Sequence, residues 1–437
     1  MSDRPSLHDA GWCFAADGSH DLGAALTHFL VALEAKPQLL GLGEPMHGEE
    51  EFPRLRNQVF QQLVEREGYR SIAIESDCMS ALMVDAFVAE GEGSLDEVMG
   101  TGFSHGFGEL GANRELVSWM RGYNGSRDAA DQVRFYGFDA PLEMSGGASP
   151  RYALVSVHGY LAAHLEATLV SCRLEIIDQL IGDDERWTNP AAAMDPSQSV
   201  GASDDTNQLR LVTDDLVAVL TLESPRLIAA TSHKEWEWAR LYGRTAAGLL
   251  RYHATMADTS DSRVARLLGQ RDAMMAANLQ SIAAREAQRG PTLVFAHNRH
   301  LQKDPSTWQL GNLALEWWSA GAIVGAQIGN QYAFLASALG SAADQGLDAP
   351  APDTLEGILS TIPESRCIFK SRSLVAALRG MGSMMALRTD TSINHGYFAL
   401  DPDHLDETDG VVFIKDIPST SHVNRPGDRS DIDPQKC

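Results

Sequence analysis

Short apolar runs and amphipathic stretches alternate along the first third of the chain. Leu22, Leu26, Phe29, Leu30 and Leu33 recur at helical spacing, and Pro37 closes that segment. Residues 38–43 are largely apolar and end in glycine, which predicts a buried strand. A helical period returns over 51–67, with Leu55, Val59, Phe60, Leu63 and Val64 on one face and Gly68 just past the end. Residues 71–75 predict a second buried strand, 79–89 an amphipathic helix, 110–123 another helix, and 133–138 a third strand ending at Asp139. Strands separated by a dozen or more helical residues are the signature of βαβ units. The expected fold is therefore α/β, a mainly parallel central sheet flanked by helices.

The middle of the chain changes character. Residues 151–187 and 207–288 read as long helices, and the polar segment 183–205, rich in Asp, Ser, Asn and Pro, reads as an exposed loop. Strand character returns at 291–296, at 321–328 and weakly at 411–415, while 340–353 reads as a small-residue loop. This pattern predicts an α/β catalytic core from 20–150 and 289–418, and an inserted helical subdomain, a candidate lid, from 151–288. Residues 1–19 and 419–437 are expected to be poorly ordered tails.

Composition narrows the partners. Acidic residues outnumber basic ones 59 to 35, for a net charge of −24. Such a balance argues against nucleic acid and against an anionic membrane surface as partners. No apolar run approaches the ~18 residues of a membrane span, and the polar start has no signal-peptide pattern, so a cytoplasmic location is expected. The five cysteines are odd in number, widely spread and free of CxxC spacing. They predict free thiols in a reducing compartment rather than a zinc ribbon or a disulfide scaffold.

Candidate chemistry sits at the predicted strand ends, where α/β sheets hold their ligands. Three of those ends carry Glu44, Glu75 and Asp139. Gly43-Glu44-Pro45-Met46-His47-Gly48 places a carboxylate three residues before an imidazole, the pairing a general base needs. Ala296-His297-Asn298-Arg299-His300 follows another apolar strand and sets two histidines toward one pocket. Together with Glu44 and Glu75 these histidines form a divalent-metal site as an alternative, although the HExxH spacing is missing. Arg56, read alone, is an ordinary helix charge. Gly102 to Gly106 formally matches GxSxG, but the segment before it is polar and helical rather than an apolar strand, so it is not a nucleophile elbow.

These pieces resemble the erythromycin esterase family and its succinoglycan-biosynthesis-type homologues. The likeness rests on Gly43 to Gly48, Arg56, Ile72 to Glu75, Trp119 to Asn124, Gly137 to Asp139, Arg271 to Asn278 and Ala296 to His300, in family order. It implies hydrolysis of a macrolactone or other carboxylic ester without a required cofactor. His47 would activate water, Glu44 would orient it, and Glu75, Arg56, His297 and His300 would complete the catalytic cleft. Arg56 would stabilise the oxyanion or hold Glu75 in a bidentate pair, and His297 or His300 would protonate the leaving group. His105, Asp139 and Asn298 are the expected substrate contacts. Arg271, Asp272 and Asn278 are assigned mainly to structure. The partner is a small molecule, macrolide-like or cationic. The competing readings are a metal-dependent hydrolase, a tailoring enzyme that performs cyclisation, elimination or acyl transfer, and a non-catalytic binding protein.

Overall fold

The computed structural model describes residues 7–15, 19–143, 146–381, 385–389, 391 and 396–418. Eight strands build the central sheet: β1 (Gly11–Phe14), β2 (Leu39–Glu44), β3 (Ser71–Asp77), β4 (Arg134–Asp139), β5 (Thr292–His297), β6 (Tyr332–Ala342), β7 (Arg366–Lys370) and β8 (Gly410–Ile417). Their order across the sheet is β1-β7-β8-β6-β2-β5-β3-β4. The strands from β8 to β4 run parallel, while β7 and β1 add an antiparallel edge. Every residue of β2 and β5 is buried, and β6 is buried almost throughout. Cover on both faces explains why these strands read as continuous apolar runs rather than alternating ones.

Helices Ser19–Ala32, Glu51–Gln62, Ala81–Glu90 and Gly111–Asn124 cover one face. Their Phe29, Phe60, Val84 and Leu116 share a core with Leu42, Ile74 and Phe135 of the sheet. The other face carries helices Arg263–Glu286 and Ala320–Ile328, whose Met275, Leu279 and Val324 pack with Ala73, Phe138 and Val294. Helices Arg151–His164, Asp204–Leu222 and His233–Met256 keep a separate core around Leu154, Val157, Leu209, Leu216 and Leu250. The helix Arg263–Glu286 packs on the sheet through Met275, Leu279 and Ile282 and on the helical segment through Leu267 and Met274, so it joins the two cores.

Several expectations need correction. Residues 321–328 form a helix and not a strand, because Ser319 caps it by accepting from the Ala322 amide. Gly321 then packs against the Leu301 carbonyl so closely that an added Cβ would lie 2.0 Å from it. Residues 340–342, read as loop, are the end of β6. The weak strand at 411–415 is the full-length β8, paired to β6 along its length. Residues 11–14, expected within a tail, form β1 and pair with β7. A disulfide joins Cys13 to Cys367 across that pair, so these two are not free thiols. A sequence separation of 354 residues gives no local hint of it. Cys78 and Cys172 are free. The proposed tail 419–437, with Cys437, lies outside the described residues. Among the described residues, no helix is long and apolar enough to cross a membrane.

Candidate active site

Strands β2, β5, β3 and β4 are neighbours, so their carboxyl ends bring Glu44, His297, Glu75 and Asp139 to one crevice. The register pairs Glu44 with His297 directly. Gly43 makes this approach possible, since a Cβ there would sit 2.1 Å from the Asn298 Oδ1. Gly48, at φ 78°, supplies the left-handed turn that closes the loop after β2.

His47 donates through Nδ1 to Glu44 Oε1 at 2.6 Å, and its Nε2 lies 3.8 Å from Glu75 Oε1. Glu44 is buried, yet 43% of the His47 side chain remains open to the cleft. Burial works to lower the His47 pKa, but the charge of Glu75 and the hydrogen bond and charge of Glu44 outweigh it and hold the ring up at about 9. Burial also pushes Glu44 upward against the pull of His47. The pair thus shares one proton, and the added charge of Glu75 favours leaving it on the imidazole.

Glu75 is the hub of the cluster. Its Oε2 accepts from the His297 amide at 2.8 Å, and its Oε1 lies 3.0 Å from Arg271 Nη2 and 3.3 Å from His300 Nε2. Burial alone would raise its pKa, but His300, His47 and Arg271 together hold it well below the usual carboxylate range. His300 donates through Nδ1 to Asp272 at 2.9 Å. Asp272 also accepts from Trp317 Nε1 at 2.6 Å and from the Ala320 amide at 2.9 Å, which fixes it in place. Against burial, the charges of Asp272 and Glu75 raise the His300 pKa.

A second group abuts the first. Arg271 Nε contacts both carboxylate oxygens of Asp139 at 3.1 Å, and its Nη2 reaches Asp139 Oδ2 at 2.6 Å. His105 bridges Asp139 through Nε2 at 3.0 Å and Glu143 through Nδ1 at 2.9 Å. Its backbone is left-handed at φ 57°, an unusual conformation for a non-glycine residue. Burial lowers the His105 pKa, and the Asp139 hydrogen bond and charge more than offset it, so the shift is upward. His105 and Asp139 therefore stand beside the cluster, with Phe107 between the rings of His105 and His47.

Three of the expected site residues make contacts other than those expected. Arg56 is fully buried, donates through Nε and Nη2 to Asn57 Oδ1 and stacks on Phe295, with its guanidinium carbon 4.9 Å from the ring centre. It makes no pair with Glu75 among the described residues; Arg271 does. Burial, opposed by Glu44, lowers the Arg56 pKa to about 9. His297 spends both ring nitrogens on the backbone, donating to the Pro45 carbonyl at 3.2 Å and accepting from the Arg299 amide at 3.1 Å. Burial and the positive neighbours keep it neutral, so it is a poor proton donor. Asn298 is buried and spends one bond from each end of its amide on Ser337, which ties the loop to β6.

Arg271 and Asp272 are the site groups that sequence reasoning set aside. A readable signal existed, because Asp272 shares the sheet-facing stripe of Met275, Leu279 and Ile282, and a carboxylate seldom occupies such a stripe without a partner. Trp317, Phe107 and Glu143 carry no comparable signal. A metal held by His47, Glu44, Glu75 and the histidines at 297 and 300 fits this arrangement poorly. His297 has no nitrogen to offer, and His300 commits Nδ1 to Asp272, which leaves only its Nε2 beside Glu75.

A cavity of about 780 Å³ lies at the opposite end of the strands, lined by Lys303, Trp318, Tyr332, Lys370 and Arg372 among others. The chemistry, not the volume, locates the candidate site.

With an α/β sheet presenting this acid and histidine cluster at its carboxyl end, the chain belongs to the erythromycin esterase family, whose sequence profile matches residues 64–417. That membership places it among esterase-like hydrolases. Glu44, His47 and Arg56 precede the matched span, so their placement rests on the strand-end geometry. The fold is similar to that of a Bacillus cereus protein at 18% identity, covering 95% of this chain and 98% of that one, with a TM-score of 0.67. A succinoglycan biosynthesis protein matches at 16% identity over 95% and 98% of the two chains, with a TM-score of 0.68. A mutant of the erythromycin esterase EreC in its open conformation matches at 16% identity over 89% and 92%, with a TM-score of 0.58.

Proposed function

We propose that the protein hydrolyses a carboxylic ester, a macrolactone or a related cyclic ester, with water activated by His47. The observation that carries this reading is the spare nitrogen of His47. Among the four histidines of the described cluster, His105 and His300 place both ring nitrogens against carboxylates, and His297 commits both to the backbone. His47 is the most open of the four, and its Nε2 makes no hydrogen bond and has only Glu75 Oε1, at 3.8 Å, beside it. A water there gives its proton to Nε2 as its oxygen attacks the ester carbonyl, with Glu44 steadying the imidazolium. Arg271, which meets Asp139 and Glu75 through Nε and Nη2 and not through Nη1, supplies the positive charge that offsets the oxyanion. His300, whose pKa Asp272 and Glu75 raise against burial, returns a proton to the departing alkoxide. Glu143, half exposed at the edge of the cluster, suits a substrate that carries a cationic amino group.

Hydrolysis of a macrolide panel in heavy-oxygen water tests the reading. A hydrolase leaves the label in the new carboxylate, and His47→Ala should cost at least ~100-fold in rate. Unlabelled product would favour cyclisation or acyl transfer instead. Undiminished function in His47→Ala would favour a binding protein, and activity lost on chelation would favour a metal.

A further inference from the structure

The far edge of the sheet holds a group of side chains that ester hydrolysis does not use. Cys13 on β1 and Cys367 on β7 stand directly opposite each other in the antiparallel register, with Cα atoms 3.9 Å apart. Glu364 lies just before β7, and one ligand atom each from Cys13, Cys367 and Glu364 fall within 4.8 Å of one another. Glu364 Oε1 is 3.2 Å from His8 Nε2, on the turn that leads into β1. The other carboxylate oxygen, Oε2, is buried and has no hydrogen-bond partner. An orphaned carboxylate oxygen beside two sulfurs is costly as it stands, and a cation would satisfy it.

We propose that in the dithiol form Cys13, Cys367 and Glu364 bind a zinc ion, with His8 in the fourth position. Two thiolates, a carboxylate and an imidazole form a borderline-soft, four-coordinate donor set that suits Zn²⁺. His8 is 63% exposed, so its ring is free to turn from Glu364 Oε1 toward the metal. The disulfide and the metal are alternative states of one pair of sulfurs. An external dithiol supplies two electrons and two protons to open the Cys13–Cys367 bond and is itself oxidised to a disulfide. Each cysteine thiol then releases its proton to solvent as its sulfur joins the metal. Either state pins β1 to β7 and so guards the sheet edge against pairing with another chain. The site is separated from the catalytic strands by β8 and β6, and it is independent of the esterase reading.

The test uses the full chain, reduced with a phosphine, freed of metal and titrated with Co²⁺. One Co²⁺ per chain is expected, with a thiolate-to-cobalt charge-transfer band that Zn²⁺ abolishes. The unreduced protein should show no such band. The double variant Cys13→Ser/Cys367→Ser retains Cys78, Cys172 and Cys437 and should lose the band. Glu364→Gln keeps both sulfurs and should weaken binding by at least the ~10-fold that even an outer-shell partner costs, with His8→Ala next. If reduction loosens the edge strand, Zn²⁺ should restore the native circular dichroism in the wild type but not in Glu364→Gln. The proposal is overturned if reduced wild type, shown by thiol titration to have both cysteines open, gives no band. It is equally overturned if the band survives in the double serine variant, if Glu364→Gln binds as tightly as wild type, or if Zn²⁺ fails to restore a loosened fold.

Discussion

Two loops face each other at the carboxyl end of the sheet, and they look alike in sequence. After β2, Glu44 and His47 are three residues apart; after β5, His297 and His300 are three residues apart. Their fates differ because the backbone takes different courses. The chain after β5 turns at once into a one-turn helix, Asn298–Leu301, whose Arg299 amide donates to the His297 ring. That same turn directs His300 back onto Asp272. The chain after β2 bends through Gly48 and leaves His47 standing at the mouth of the cleft. Spacing brings titratable groups together, but the partner of the second ring nitrogen decides which of them can react.

The sharpest way to break this contrast is to remove each ring in turn. His47→Ala should lower kcat/KM by ~100-fold to ~10,000-fold, the range for a positioned general base. His297→Ala should cost a few-fold at most in rate and act mainly on stability, since its ring bonds only to backbone. Equal losses in the two variants, measured on folded protein, would erase the distinction between the loops.

The two arginines of the site repeat the lesson on helices. Arg271 faces two buried carboxylates, whereas Arg56 meets an amide oxygen and an aromatic ring. Removing Arg271 leaves Glu75 and Asp139 with less compensation, so Arg271→Met should destabilise the fold by ~3–5 kcal/mol, as when one partner of a buried pair is lost. Arg56→Met removes a buried cation that makes no ion pair among the described residues and feels only the more distant charge of Glu44, so it should cost less. Urea unfolding of the two variants compares them directly, and a larger loss for Arg56→Met would reverse the assignment.

The parallel sheet and the acids at its strand ends were legible because burial on both faces writes itself as apolar runs with abrupt polar ends. Glu44, His47, Glu75 and His300 follow from that alone. Arg271 and Asp272 were harder to read, since Arg271, 132 residues beyond Asp139, reaches the site only through tertiary packing, as its bond to Asp139 shows. The segment 321–328 misled for a different reason. A run of Ala, Gly, Ile and Val is apolar in either state, and the Ser319 cap, not periodicity, makes it a helix. β1 stayed hidden because four residues at a chain end carry too little pattern, and only pairing with β7 defines them.

Asp272 links the helix to the second loop, and its effect should be smaller. Asp272→Asn removes a charge that raises the His300 pKa while retaining a hydrogen-bonding group of similar shape. Lowering that pKa leaves less of the ring protonated and able to donate. The rate with a poor alkoxide leaving group should fall, by less than the ~100-fold that a general acid is worth, and the rate with an activated phenyl ester should barely change, because such a leaving group needs no proton. Equal losses on both substrates would mean that Asp272 merely holds the fold.

The smallest expected effect, on stability, comes from pH and sharpens the contrast within one residue. The folded-state pKa of His47 is raised from 6.5 to about 9 by Glu75 and Glu44 acting against burial. A raised pKa means that the protonated ring is favoured by folding, so its contribution to stability is full below pH 6.5 and is lost as pH climbs through 9. The ring's opening to solvent screens that contribution and keeps it modest. The base, however, must be neutral, so log kcat/KM should climb with unit slope and level off near pH 9. Activity and the denaturation midpoint should therefore move in opposite directions across the same window. Glu44→Gln weakens the hold on the proton, and both inflections should shift toward neutrality together. A rate inflection that stays in place in Glu44→Gln would separate the base from the Glu44–His47 pair and return the two loops to equal standing.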